Sequence, residues 1–341
     1  MASENFRFAA AVPRTLPPLP ATIFCMVVLA AALSCASSAP ARAVTCGSKI
    51  KADTVMPSDL VGCRGAALEI ASDGVTLDLG GHTVAGSIEA IGHGDVTITG
   101  GTVAGDVILE KVRRARVRLL HVRHGSIECL RSAGCTVVGN VVVRGGIVVD
   151  RSEIGTPNRV RGNVVSGAPS AGIAVSRTDT TQVTRNAVRE SQIGILMSHS
   201  ADLLIARNRI ARNSGAGLSG YFGTSAVIVR NRIAANGGDG ISLRTWGGDT
   251  QIAHNVAVRN RGSGILGSVV AHWSVVANRA SRNRRSGIVI GGAVEQATLA
   301  ANRADRNGEL GIDAVSGVLD GGTNRAFLNG APAQCSGIAC G

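Results

Sequence analysis

Acids, bases, cations and aromatic rings gather in residues 177–273: Arg177 and Asp179, His199 and Asp202, Tyr221 and Phe222, Arg244, Trp246 and Asp249, then His272 and Trp273. Aromatic residues make up only 2% of the chain, yet four of them fall here, so the stretch is compositionally distinct. Tyr221 or His199 could take a proton while Arg177 or Arg244 neutralises a carboxylate beside the carbon that loses it. The same residues could instead hold a sugar, with Tyr221, Trp246 and Trp273 offering ring faces and Arg244 and His272 offering charge. The competing account is structural: an irregular bend packs its large residues against one another.

What would bring these residues together is a repeat. Asn140, Asn163, Asn186, Asn208, Asn231, Asn255, Asn278, Asn302 and Asn324 return every 22 to 24 residues. An apolar residue stands three places before nearly every one (Val137, Val160, Val183, Ile205, Ile228, Ile252, Val275, Leu299). A second stands two places after, narrowing from Val142, Val165, Val188, Ile210 and Ile233 to Ala257, Ala280 and Ala304. Gly followed by Ile or Leu comes nine or ten residues on, as in Gly172-Ile173, Gly217-Leu218 and Gly287-Ile288. A fixed period of this length marks a solenoid. Its segments are short, β-branched and cut by Gly and Asn, which excludes a helical repeat. Three short strands per coil suit the length, and coils stack at about 4.8 Å, the strand spacing of a sheet. The handedness of parallel crossovers favours the right hand. Asn is expected at the bend because it tolerates left-handed backbone and its amide can bond to those above and below.

Stacking also aligns charge. Arg209, Arg232, Arg279, Arg303 and Arg325 follow the Asn by one residue, and Arg212, Arg259, Arg282 and Arg306 follow it by four. Such columns form a linear cationic track suited to an extended polyanion of similar repeat, or else a set of solvated bend residues whose stems cover the coil edge. The formal charge is +12; residues 1–43 hold Arg7, Arg14 and Arg42 against Glu4, which leaves +10 for the rest. Nearly all of it is Arg, and composition alone identifies no partner.

The N-terminus places Arg7 and Arg14 before the apolar run Ile23 to Leu33 and ends in Ala41-Arg42-Ala43, the order of a secretory signal cut after Ala43. A lipoprotein signal at Ala32-Leu33-Ser34-Cys35 fits the lipobox poorly. The expected organisation is a signal peptide at 1–43, an N-terminal cap at 44–66, a β-helix of about eleven coils at 67–329 and a C-terminal cap at 330–341. Export agrees with the cysteines, since Cys46, Cys63, Cys129, Cys135, Cys335 and Cys340 remain after cleavage. Six allow 15 pairings, and proximity suggests Cys46 with Cys63, Cys129 with Cys135 and Cys335 with Cys340. The first and last pairs would staple the ends, where an open coil exposes its interior. No later stretch is long and apolar enough to span a bilayer. His121 and His124, three apart on a strand, point to opposite faces, and Asp239 and Asp249 match no calcium repeat, so no metal site is expected.

The repeat from Asn208-Arg209 to Asn213 and Gly217-Leu218, with Val75 to Gly86 (VTLDLGGHTVAG), resembles the right-handed parallel β-helix repeat proteins of the pectate-lyase-like superfamily, the NosD-like group included. The resemblance covers most of the chain and is specific for fold. It implies acidic extracellular polysaccharides as the commonest ligand class, acted on by lyases, uronan epimerases or polygalacturonases, or bound without reaction. The polygalacturonase motifs Asn-Thr-Asp, Asp-Asp and Arg-Ile-Lys are absent, and Gly92-His93-Gly94 stands alone. The Asp-Pro-His-Asp motif of bacterial alginate epimerases is absent too. The resulting expectation is an all-β solenoid, secreted, periplasmic or at the cell surface, that binds or processes a polyuronate as lyase or epimerase, with a non-catalytic surface module as the alternative. No cofactor is expected, apart from Ca²⁺ if the protein is a lyase. Nucleic acid is a poor partner because aromatics do not interleave with the Arg columns. The chain is expected to be a monomer, since no coiled coil or long tail supports a tailspike-like trimer.

Overall fold

The structure is a computed structural model that describes residues 43–152 and 155–341. The expected signal peptide lies outside the described residues. Each Asn-bearing coil is three short strands, as in Leu203–Ala206, Arg209–Ala211 and Leu218–Thr224. These are called the pre-Asn, post-Asn and Gly-Ile strands below. Alternate residues point inward, and pairing between coils is parallel and in register, so each inward position makes a column of one residue type. Val117, Val137, Val160, Val183, Ile205, Ile228, Ile252, Val275 and Leu299 pair successively in the pre-Asn sheet and are fully buried. Ile173, Ile195, Leu218, Ile241, Ile265 and Ile288 do the same in the Gly-Ile sheet. Burial of stacked aliphatics at about 25 cal/mol per Å² of apolar surface is the main force holding one coil on the next.

The corner between pre-Asn and post-Asn strands is an amide ladder. Asn208 Nδ2 donates to Asn231 Oδ1 at 3.0 Å and to the Val183 carbonyl at 2.9 Å, while its backbone N–H donates to the same Oδ1 at 2.9 Å. The pattern recurs from Asn140 to Asn302, so every buried amide is satisfied. The left-handed residue is not the Asn. It is the one before it, Arg185, Arg207, Arg230, His254, Ala277 or Ala301, with φ between 54° and 58°. Asn is required at the corner by hydrogen bonding inside the coil, not by its backbone tolerance. A second ladder, five residues on, joins Asn213, Asn236, Asn260, Asn283, Asn307 and Asn329 at 2.9 to 3.0 Å.

The Gly-Ile sheet has fourteen strands, from Ser48–Ile50 to Cys335–Ser336; the first and last lie in the expected caps, which leaves twelve between them, in line with the coil number expected from the sequence. The coils before Asp150 are shorter than the later ones. Leu68 pairs with Ile88, Val107 with Ile127 and Ile127 with Ile147, steps of 20 residues. Segments 44–66 and 330–341 already pair in register with the solenoid, through Ser48–Ile50 on Leu68–Ile70 and Cys335–Ser336 on Ile312–Asp313. The disulfides are Cys46–Cys63, Cys129–Cys135 and Cys335–Cys340. The middle one is buried inside the coil, where both cysteines are 1% exposed.

Candidate functional site

The turn from Gly-Ile strand to pre-Asn strand carries the residues singled out for chemistry, and stacking sorts them into outside and inside. Ser198 pairs with Tyr221, Tyr221 with Arg244 and Arg244 with Ser268, so Tyr221 and Arg244 stand side by side on adjacent rungs of one outward column. Arg244 is exposed and Tyr221 half-buried. Arg177 lies 2.7 Å from Asp150, so a carboxylate already sits beside it. His199 leans on the exposed Phe222 ring, with centroids 5.3 Å apart. His272 faces Glu295 at 3.8 Å.

Trp246 and Trp273 do not serve as sugar platforms. They are 0% and 1% exposed and fill the core at this corner. Their indoles occupy space vacated by glycine: a Cβ on Gly223 would sit 2.3 Å from Trp246, and one on Gly267 2.6 Å from Trp273. Trp273 Nε1 donates to the Trp246 carbonyl at 2.8 Å. The structural account given above for this bend therefore holds for both indoles, while Tyr221, Arg244, His199, Phe222 and His272 remain accessible, as do Asp179, Asp202 and Asp249.

The arginines that follow the Asn form a true column. Arg209 pairs with Arg232, then Val256 interrupts, then Arg279, Arg303 and Arg325 continue in register. All five are exposed. Arg303 is tied to Asp305 and lies 5.0 Å from the centre of the Phe327 ring, and Arg212 in the neighbouring column reaches Glu190 at 3.5 Å. Arg209, Arg232 and Arg325 meet no carboxylate among the described residues. At about 4.8 Å, adjacent guanidinium groups repel by roughly 0.9 kcal/mol in water, a cost that a bound anion would reverse.

A second arginine group went unmarked in the sequence reading. Arg185, Arg207 and Arg230 occupy the left-handed corner just before Asn186, Asn208 and Asn231, and with Arg159 and Arg161 they line a trough of about 400 Å³ on the pre-Asn sheet. Its signal was present in the chain, one residue before three successive ladder asparagines. One column of the early coils carries the opposite sign: Glu69 pairs with Glu89 on the outside of the Gly-Ile sheet, and Glu128 lies farther along the same column. Burial, with a smaller push from Asp106, raises the Glu128 carboxyl above its ordinary range.

Among the described residues no three His, Cys, Asp or Glu side chains gather where they could hold a metal ion. All six described cysteines are in disulfides, and Met56 and Met197 are buried, so the described residues offer neither a free thiol nor an exposed thioether as a metal ligand. No helix among the described residues is long and apolar enough to cross a membrane.

Residues 95–261 match the family model described as periplasmic copper-binding protein (NosD). No curated protein matches the chain. A mutant of the periplasmic alginate epimerase AlgG is similar at a TM-score of 0.63 and 14% identity, over 77% of this chain and 76% of that one. The A-module of a mannuronan C-5 epimerase from Azotobacter vinelandii is similar at 0.56 and 14%, over 81% and 91%. The catalytic unit of an alpha-1,3-glucanase from Streptomyces thermodiastaticus is similar at 0.64 and 15%, over 82% and 63%. At these identities the likeness is one of fold.

Proposed function

The chain is a right-handed parallel β-helix repeat protein with NosD-like repeats, and from that premise we propose that it is exported and binds an acidic polysaccharide, a polyuronate, along its arginine-bearing coils. The observation that carries this reading is the register of Arg209, Arg232, Arg279, Arg303 and Arg325, which places cations at multiples of one rung step on a rigid rod. A polymer with one carboxylate per repeat of similar length meets them without bending, and no chain entropy is lost on the protein side. Disulfides support export, as do the periplasmic proteins among the likenesses. The similarity to an alginate epimerase and a mannuronan epimerase supports the ligand class.

One observation favours a second reading, a lyase or epimerase. Tyr221 and Arg244 are register neighbours, so a base and a carboxylate-neutralising cation face the same ligand from adjacent rungs. In that chemistry the Tyr221 oxygen takes the proton from the carbon next to the carboxylate, and Arg244 holds the carboxylate while negative charge spreads onto it; the enolate then expels the neighbouring glycosidic oxygen in a lyase or regains a proton on its other face in an epimerase.

Proton NMR of alginate and pectin incubated with the protein separates the two. Line broadening without new signals supports binding alone. New unsaturated or altered anomeric signals, abolished by Tyr221→Phe and Arg244→Ala, establish the enzyme. Sharp, unchanged spectra across the panel, with and without Ca²⁺, reject both.

A further inference from the structure

The trough on the pre-Asn sheet is built differently from the rest of that face. Its outward positions run Arg161, Thr184, Ala206 and Val229 in register, so a long cationic side chain gives way abruptly to short ones. Arg185, Arg207 and Arg230 rise beside this short-residue strip from three consecutive rungs. Arg159 and Arg161 stand at its N-terminal end, one rung before Gln182 and Thr184. Beyond Arg230 the corner continues as His254, Ala277 and Ala301, so the trough is open in that direction. Cations therefore line one side and one end, short side chains form the floor, and the other end is free.

The guanidinium groups of Arg161, Arg185, Arg207 and Arg230 have no carboxylate partner among the described residues. Five exposed arginines in one concavity of about 400 Å³ are matched by no acid in its lining, which is Gln, Thr, Leu, Ala and Val otherwise. Left-handed backbone at Arg185, Arg207 and Arg230, with φ of 57° to 58°, is locked by the Asn that follows each, so the three side chains leave the coil in parallel at one rung step.

We propose that this trough is an oligouronate-binding site that takes the end of an acidic glycan lying parallel to the coil axis. Carboxylates on successive sugars pair with Arg185, Arg207 and Arg230, and the terminal sugar abuts Arg159 and Arg161. The strip of Thr184, Ala206 and Val229 provides the flat floor under the sugar rings. The closed end makes it selective for chain ends, unlike the post-Asn column, which runs on to Arg325 and suits internal segments. The inference rests on the reading of the protein as a binder of acidic polysaccharide and assigns that reading a second site with a different length dependence.

The test is titration calorimetry with di- to hexauronates, on the wild type, on Arg185→Gln/Arg207→Gln/Arg230→Gln and on Arg284→Gln/Arg285→Gln, two exposed arginines outside the trough and the post-Asn column. Affinity for short oligouronates is expected to fall roughly tenfold or more in the first variant and to change less than about twofold in the second. Affinity should rise with length only until the three cationic rungs are filled. Modification of arginine by a dicarbonyl reagent, mapped by mass spectrometry on the wild type, gives a readout that needs no variant: oligouronate should protect Arg185, Arg207 and Arg230. Binding with protection only at Arg209, Arg232 and Arg279 overturns the trough and keeps the polysaccharide reading. Protection of the trough by sulfated oligosaccharides alone overturns the uronate assignment for both, and no protection by either glycan overturns the site.

Discussion

The coils before Asp150 and the coils after Arg159 enclose the same kind of interior with different corners. In the early coils one strand continues through the corner, as Arg116–Arg123 does with Leu119 left-handed at φ 55°, and Leu120 stands inside it at 2% exposure. One coil later Asn140 takes the same place, accepting the Leu120 N–H at 3.0 Å, and from there amides replace aliphatics. The return to the Gly-Ile sheet differs as well. Val143 reaches Ile147 through Arg144, Gly145 and Gly146, whereas Ala211 reaches Leu218 through six residues that include the second ladder Asn213. That additional bend turns a step of 20 into one of 23. The short return demands glycine, because a Cβ on Gly125 would lie 2.1 Å from the Gly105 carbonyl and one on Gly145 1.8 Å from that of Gly125. The later return also leaves side chains out, since a Cβ on Gly237 would lie 2.0 Å from the Ser214 carbonyl, but it adds the bonded amides that the early return lacks.

The sharpest way to break this contrast is to exchange the corners. Asn231→Leu leaves the Asn208 amide and N–H without their acceptor and the Ile205 carbonyl without a donor. Hydrogen exchange should report a loss of about 4 kcal/mol or more around Asn208 to Asn255. Leu120→Asn should cost only about 2 kcal/mol, because the new amide can donate to Asn140 and lengthen the ladder by a rung. Equal losses in both would mean that the corners are not distinct devices. Next in size is Gly125→Ala, expected to lose about 3 kcal/mol in urea unfolding by forcing two backbones apart. Gly139→Ala, a left-handed corner residue with only Leu119 within reach at 3.6 Å, should lose about 1 kcal/mol. The smallest effect concerns charge on the early face. Because burial raises the Glu128 carboxyl, the folded state binds its proton more tightly than the unfolded chain does, so this group's stabilising contribution is present below pH 4.5 and is lost as pH rises through its folded value. Glu128→Gln should be more stable than wild type in urea at neutral pH, with the advantage disappearing below pH 4.5.

The Asn coils were legible in sequence because hydrogen bonding between identical amides forces one residue type into one place. Val137 to Leu299 stacked as their spacing implied for the same reason, since a column of stacked side chains must be of one size. The early coils were harder to read because their marker is an absence. Gly105, Gly125 and Gly145 keep a strict period, yet glycine is common enough in this chain, at 45 residues, to hide it. At the candidate site, sequence placed Tyr221 and Arg244 on one edge of successive coils but could not tell which aromatics face outward. Trp246 and Trp273 are inside because Gly223 and Gly267 opened room for them, a pairing between different coils that spacing along the chain does not reveal.

Nine positions from Gly139 to Thr323 share one left-handed backbone shape, with φ between 54° and 67°, while their side chains are glycine, arginine, histidine, alanine or threonine. The Asn behind each one holds the backbone, so what projects in front is free to vary. These positions behave as a pegboard with a fixed pitch. Charges could be moved, reversed or replaced by reactive groups one peg at a time, rewriting the ligand preference of the rod while its interior stays untouched.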